Sequence, residues 1–220
     1  MSYIEEIKVD ISGSGHITNC YLVYDETGRA LLVDPGDEAD KIIHRIQEFN
    51  VVVEKILITH GHADHLGALE KLQMFTKAPI LVHENDVPEV LNEVENYCEL
   101  LGVMPQHISK ECIVPLKDQD TFVIGEMEFE VIHTPGHTSG CICVYEKTSK
   151  RLLTGDTLFA DCYGRCDLYS GDFDQMVSSI KKLFSRFEDV MMYPGHDAIV
   201  NIDSCKRKIR MLLAYKGVHI

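Results

Sequence analysis

Three imidazoles and a carboxylate fall within the six positions His60–His65 of Thr59-His60-Gly61-His62-Ala63-Asp64-His65. Imidazole nitrogen and carboxylate oxygen together suit zinc, iron or manganese. The run directly follows a strand-like segment and opens a helical one. His60 and His62 can converge in an extended turn. Asp64 and His65, at the helix start, can reach a neighbouring position, so one segment can serve two ions. Four donors are too few to close two sites. Three further candidates stand at strand ends: His137 in TPGHTSG, Asp156 in LLTGDTLF and His196 in YPGHD. Their neighbours Gly136, Gly155 and Gly195 let the backbone pass close beneath a metal cluster. Each of the three alone reads as an ordinary surface residue; as a set they supply the donors the first cluster lacks.

The elements that must position these residues alternate along the chain. Residues 4–10, 20–25 and 30–34 read as strands, with a turn at Asp25-Glu26-Thr27-Gly28. Ile42, Ile43, Ile46 and Phe49 give residues 38–49 helical spacing. Residues 55–59 read as a buried strand, 63–76 as a helix and 80–83 as a strand. Val87, Val90, Leu91, Val94, Cys98 and Leu101 predict one long amphipathic helix. In the second half, 121–124, 128–133, 141–145, 151–154 and 190–193 read as strands, and 174–187 and 204–215 as helices. Strands lead each half and helices flank them, the pattern of an α/β chain with two sheets packed under outer helices. No Gly/Ser/Pro-rich linker divides the chain, so residues 1–220 read as a single domain.

Composition bounds the partners. The chain has 220 residues, 45% hydrophobic and 25% charged, and such a length buries roughly 70% of its unfolded surface without help from disulfides. No stretch approaches the roughly 18–20 apolar residues of a membrane span. The opening MSYIEEIKVD lacks a basic segment followed by an apolar run, and the eight cysteines have no dense spacing. The expectation is a cytoplasmic protein with reduced thiols. A net charge of −14 repels a phosphate backbone, so no nucleic-acid partner is expected.

The motifs together resemble the metallo-β-lactamase superfamily, and within it the glyoxalase II-like hydrolases. The resemblance runs from Asn19-Cys20-Tyr21-Leu22-Val23 to Pro194-Gly195-His196-Asp197. It implies a four-layer αββα sandwich. It implies that His60, His62 and His137 bind one metal and Asp64, His65 and His196 a second, with Asp156 bridging. Asp34, in LLVDPG, matches a family aspartate beside the site, which would orient a ligand. Gly164-Arg165 matches the position of a basic residue that contacts glutathione, making Arg165 a candidate carboxylate clamp, with Tyr163 beside it as a candidate substrate contact.

A bound divalent ion lowers the pKa of water from about 15.7 to about 7. The implied function is therefore a dinuclear metallo-hydrolase that uses a metal-bound hydroxide, with Asp64 and Asp156 at the reacting centre, to cleave a small thioester such as a hydroxyacyl-glutathione. Zinc is the expected metal, and the same donors accept iron or manganese. The sequence departs from glyoxalase II in two places. Ala198 stands where the family often has a tyrosine, and only 23 residues follow Asp197, where glyoxalase II has a helical extension. Gly164-Arg165-Cys166-Asp167 also resembles persulfide dioxygenases, which use a single iron. A metal-binding protein without catalysis is a third reading. Cys162 and Cys166 read as small loop residues, and Cys141 and Cys143 as packing on one strand face. His16, His44, His83, His107, His133 and His219 have no metal-like context.

Overall fold

The computed structural model describes residues 1–220, and their strands form two six-stranded sheets. The first sheet contains, side by side, β1 (Ser2–Ile11), β2 (His16–Asp25), β3 (Arg29–Val33), β4 (Val52–Leu57), β5 (Ile80–His83) and β6 (Ile113–Leu116). The second contains β7 (Thr121–Ile124), β8 (Met127–His133), β9 (Ile142–Glu146), β10 (Arg151–Gly155), β11 (Met191–Pro194) and β12 (Val200–Asn201). Six helices complete the fold: α1 (Ala39–Glu48), α2 (Leu69–Thr76), α3 (Val87–Val90), α4 (Cys98–Leu101), α5 (Phe173–Arg186) and α6 (Ile202–Tyr215).

The pleat divides each apolar run between two cores. Successive side chains of a strand point to opposite faces. Tyr21, Val23, Leu31, Val33 and Leu57 face the second sheet, where they meet Phe129, Val131, Ile142, Val144 and Leu153. Their neighbours Cys20, Leu22, Ala30, Leu32 and Ile56 face outward, under Ile42 and Ile46 of α1 and Leu69 and Leu72 of α2. On the far side, Ile132, Cys143 and Leu152 pack under α5 and α6 through Ile180, Leu183, Ile209 and Leu213. A continuous apolar strand with helices outside and a sheet inside is what four layers require, and the expected αββα sandwich is the fold observed.

Three local expectations are corrected. The helix expected across Val87–Leu101 is two short helices, because Asn92 and Tyr97 adopt left-handed backbone at φ 55° and 67°. Asn96 fills the break: its side-chain amide donates to Glu89 O and Asn92 Oδ1, and its carbonyl accepts from Ala63 N. The helix expected over residues 63–76 is a short 3-10 turn, Ala63–His65, followed by α2. The Ala68 amide bonds Pro35 O at 2.9 Å instead of continuing a helix. β6, whose proline and half-exposed pattern gave no strand signal, joins the edge of the first sheet parallel to β5.

β2 also begins earlier than expected, at His16, and it fastens the two sheets together. Asn19 N donates to Gly195 O at 2.7 Å, and its side-chain amide donates to Pro194 O and Asp197 O. Tyr21 Oη donates to Pro194 O at 2.7 Å, while its ring meets Tyr193 edge-on at 5.6 Å. In urea unfolding, Tyr21→Phe is expected to cost about 1 kcal/mol, one buried hydrogen bond. Tyr21→Ala should cost about 3–5 kcal/mol, because the ring's packing is lost as well. Equal, small effects would mean that this residue does not tie the sheets.

Candidate metal centre

Both sheets present strand ends to one edge of the sandwich. β3, β4 and β5 run parallel, as do β10 and β11, and β8 shares their direction through antiparallel β9. Their carboxyl ends carry Asp34, His60–His65, Asp86, His137, Asp156 and His196. β2 runs opposite to β3, so its amino end, His16, lies at the same edge. Ile142 N donates to Thr59 O at 3.0 Å, joining the two loop sets across the sheets. Gly195 makes the convergence possible, since a Cβ there would collide with Asp156 Oδ1 and His65 Cε1. Gly136 differs from expectation: it crowds the Met176 backbone at the start of α5 rather than the cluster.

The expected donors come together. Donor atoms of His60, His62 and His137 lie within 4.8 Å of one another, as do those of His60, His65 and Asp156. Asp156 stands between two groups: Oδ2 is 3.5 Å from His137 Nε2 and 3.4 Å from His196 Nε2, and Oδ1 is 3.4 Å from His65 Nε2. Asp64 Oδ2 is 3.3 Å from His196 Nε2 and 4.0 Å from His65 Nε2. The Nε2 atoms of His60, His62, His65 and His137, together with Asp156 Oδ1, are buried and have no hydrogen-bond partner. A buried polar atom left unpaired costs about 1–3 kcal/mol, so five in one place need an external partner. Lone pairs of neutral imidazole beside carboxylates are the donor chemistry of a divalent cation, and the residues fit one.

The electrostatics point the same way. Burial pushes His62 down to about 3, and His137 nearby adds to the effect. Burial and the His65 ring hold His60 well below the usual histidine range. Burial opposes protonation of His65 and His196 too, but carboxylates outweigh it. Asp156 and Asp34 lift His65 to about 8, and Asp156 with Asp64 lifts His196 to about 11. Among protein groups alone, the carboxylates draw protons onto His65 and His196, while burial keeps His60 and His62 neutral. A cation answers both demands at once.

A further set of contacts fixes three of the rings from behind. His137 Nδ1–H donates to Arg165 O at 2.8 Å and His196 Nδ1–H to Ile17 O at 2.7 Å. A carbonyl only accepts, so these bonds place the proton on Nδ1 and leave the Nε2 lone pair for the site. Asp34 Oδ2 is 3.0 Å from His65 Nδ1, and the carboxylate also accepts from Thr59 N and Oγ1. Asp86, not singled out from sequence, is fully buried and joins two ligand loops. It accepts from Gly61 N at 2.9 Å, Gly140 N at 2.6 Å and Thr138 Oγ1 at 2.6 Å.

His62, Asp64, His137, Asp156 and His196 floor a cavity of about 290 Å³, walled by Tyr97, Leu100, Leu101, Phe159 and Leu168 and also reached by Cys162 and Arg165. Arg165 carries a bidentate pair to Asp167 at 2.8 Å, so its exposed guanidinium is already partly engaged. Tyr163 is not a wall residue: it packs between Phe173 and Lys216, in the outer core of the second sheet. Tyr97 occupies the wall in its stead, 5.2 Å from the His62 ring, with Tyr169 N donating to its Oη at 2.6 Å. His16, set aside from sequence, lies 2.9 Å from Asp64 Oδ2. A histidine in a polar hairpin carried no motif, and Tyr97 lay in a stretch read as regular helix.

Comparison with known proteins agrees with this geometry. A family model described as the metallo-beta-lactamase superfamily matches residues 13–196. The chain is 30% identical over 194 residues to the hydroxyacylglutathione hydrolase GloC of Haemophilus influenzae, covering 86% of this chain and 90% of that protein. Two solved structures are similar over most of their length. The BLEG-1 B3 metallo-beta-lactamase has a TM-score of 0.83 and 28% identity, covering 92% of this chain and 95% of its own. TTHA1623 in a di-iron-bound form has a TM-score of 0.82 and 27% identity, covering 94% and 99%.

Two substitutions test the support beneath the cluster. Asp86→Ala strands two amides and a hydroxyl, so chemical unfolding should show a loss of about 2–4 kcal/mol. Chelator competition should show metal held about 10- to 100-fold more weakly. Glu89, on α3, is buried with Oε2 unpaired, and burial, with Asp86 second, pushes it up to about 7. Between its unfolded value near 4.5 and about 7, the folded chain keeps a proton that the unfolded chain has lost, so stability falls as pH rises through that window. Glu89→Gln should therefore be more stable than the parent chain at pH 8, by on the order of 1–3 kcal/mol. That advantage should shrink toward pH 5; a pH-independent difference would rule out a buried neutral carboxyl.

Proposed function

Because the chain belongs to the metallo-beta-lactamase superfamily, we propose that its strand-end cluster holds two divalent ions and that the protein hydrolyses a small thioester, a hydroxyacyl-glutathione first among them. The observation that carries this reading is the set of buried, unpaired imidazole nitrogens with Asp156 Oδ1, of which His62, His137 and Asp156 line one cavity. His60, His62 and His137 hold the first ion; Asp64, His65 and His196 hold the second; Asp156 lies between them. When bound, such ions supply Lewis acidity toward a carbonyl and lower the pKa of water to about 7. The 30% identity to a hydroxyacylglutathione hydrolase supports the thioester class, and the similarity to a di-iron-bound structure makes iron a metal to test beside zinc and manganese.

The chain's own residues bind and orient the substrate. The apolar wall of Tyr97, Leu100, Leu101, Phe159 and Leu168 excludes water from one side of the reacting carbonyl. Tyr97 Oη, already accepting from Tyr169 N, keeps its own proton to donate. Arg165 offers its remaining N–H groups to a substrate carboxylate in competition with Asp167. Asp64 lines the cavity and would face the attacking side as a carboxylate, while Asp156 would hold its ring partners in place.

A mononuclear-iron dioxygenase would use two histidines and one carboxylate, leaving the other buried donors unpaired. The two-ion reading answers all of them. Purified protein assayed with S-lactoylglutathione and a panel of thioesters and lactones should show hydrolysis that stops on chelation and returns with metal. No metal-dependent hydrolysis of any of them would sink the reading, and oxygen uptake with glutathione persulfide on one iron per chain would replace it. Arg165→Ala should raise KM about 10-fold for the glutathione thioester with kcat little changed, because it removes uniform binding. A neutral thioester should not register the substitution.

A further inference from the structure

His16 stands apart from the strand-end donors, yet it meets the same carboxylate oxygen they do. Its Nε2 is 2.9 Å from Asp64 Oδ2, the atom that His196 Nε2 approaches to 3.3 Å, and the two rings lie 4.9 Å apart between centroids. Two donors bound to one ion at about 2.0–2.2 Å are separated by roughly 3.0–3.5 Å at tetrahedral or octahedral angles. Both spacings around Asp64 Oδ2 lie close to that range.

The hairpin that carries His16 is held where it stands. Gly15 N donates to Asp10 Oδ1 at 2.7 Å, Ser12 N to Asp37 Oδ2 at 2.8 Å and Ser12 Oγ to Gly102 O at 2.8 Å. The next residue, Ile17, accepts His196 Nδ1–H. One strand end thus fixes His196 through its backbone and sets a second imidazole beside it.

We propose that His16 is a further protein ligand to the ion held by Asp64, His65 and His196, closing that position from the solvent side. Its side chain is 45% exposed, whereas that of His65 is fully enclosed. The inference rests on the two-ion reading, and the metal count of the parent chain reports on that reading separately.

The test uses the whole chain loaded with Co(II). An imidazole bound through Nε2 keeps its Nδ1–H, which appears in proton NMR as a solvent-exchangeable, strongly shifted resonance. His16→Ala should lose one such resonance and release the second Co(II) at least 10-fold more readily in chelator competition, with the first ion unaffected. His16→Gln, which can still hydrogen-bond Asp64, should behave like His16→Ala. Retention of the full resonance count by His16→Ala, or of parent affinity by His16→Gln, would overturn the assignment while leaving two ions in place. A parent chain that binds one Co(II) would overturn both this inference and the two-ion reading. The unchanged first ion confirms that each variant is folded; if the alanine variant does not fold, the glutamine variant decides.

Discussion

Several imidazole lone pairs and one carboxylate oxygen, Asp156 Oδ1, are buried together at one edge of the sandwich with no hydrogen-bond partner in the protein. Left so, they would cost several kcal/mol against a net stability of only about 5–15 kcal/mol. The surrounding structure holds three of the rings from the opposite side. Arg165 O and Ile17 O take the Nδ1 protons of His137 and His196, and Asp34 faces His65. These three rings are held with Nε2 toward the centre, so the protein supplies directed donors there.

That arrangement needs loops from two sheets to meet at fixed spacing, and the sheets are joined there as well as through their core. β2 reaches across from the first sheet to hold the loop after β11 by three hydrogen bonds from Asn19 and one from Tyr21. Asp86 does the same between the loops after β4 and β8. The clamps are short polar contacts in a dry setting, where an unmade bond is expensive. Positions far from the metal donors in sequence therefore decide their geometry.

Much of this was legible beforehand, for identifiable reasons. Short apolar strand runs alternating with helical spacing disclosed two sheets under outer helices, and the donor motifs stood out because several ligand types rarely crowd into six positions. The four-layer sandwich was implied by the family resemblance, and strand-end placement suggested that His137, Asp156 and His196 complete the first cluster. What stayed hidden depends on tertiary contact. Asp86 is one aspartate in an acidic stretch until its three donors are seen. Tyr97 reaches the cavity only because left-handed backbone at Asn92 and Tyr97 breaks the expected helix. Tyr163 sits next to the site in sequence but turns into the outer core. His16 lies more than forty residues from Asp64, so no local pattern linked them.

The cavity above the cluster adds an apolar wall and one guanidinium already paired with Asp167. On the proposed reading, such a pocket would select by shape and by a single charge, and ions beneath it would set the reaction class. Everything therefore turns on whether those ions are present. Elemental analysis of the purified chain, after dialysis against metal-free buffer, should find about two divalent ions per chain. A chain that retains none and is not stabilised by added zinc, iron or manganese would contradict the assignment of these buried donors as a metal centre.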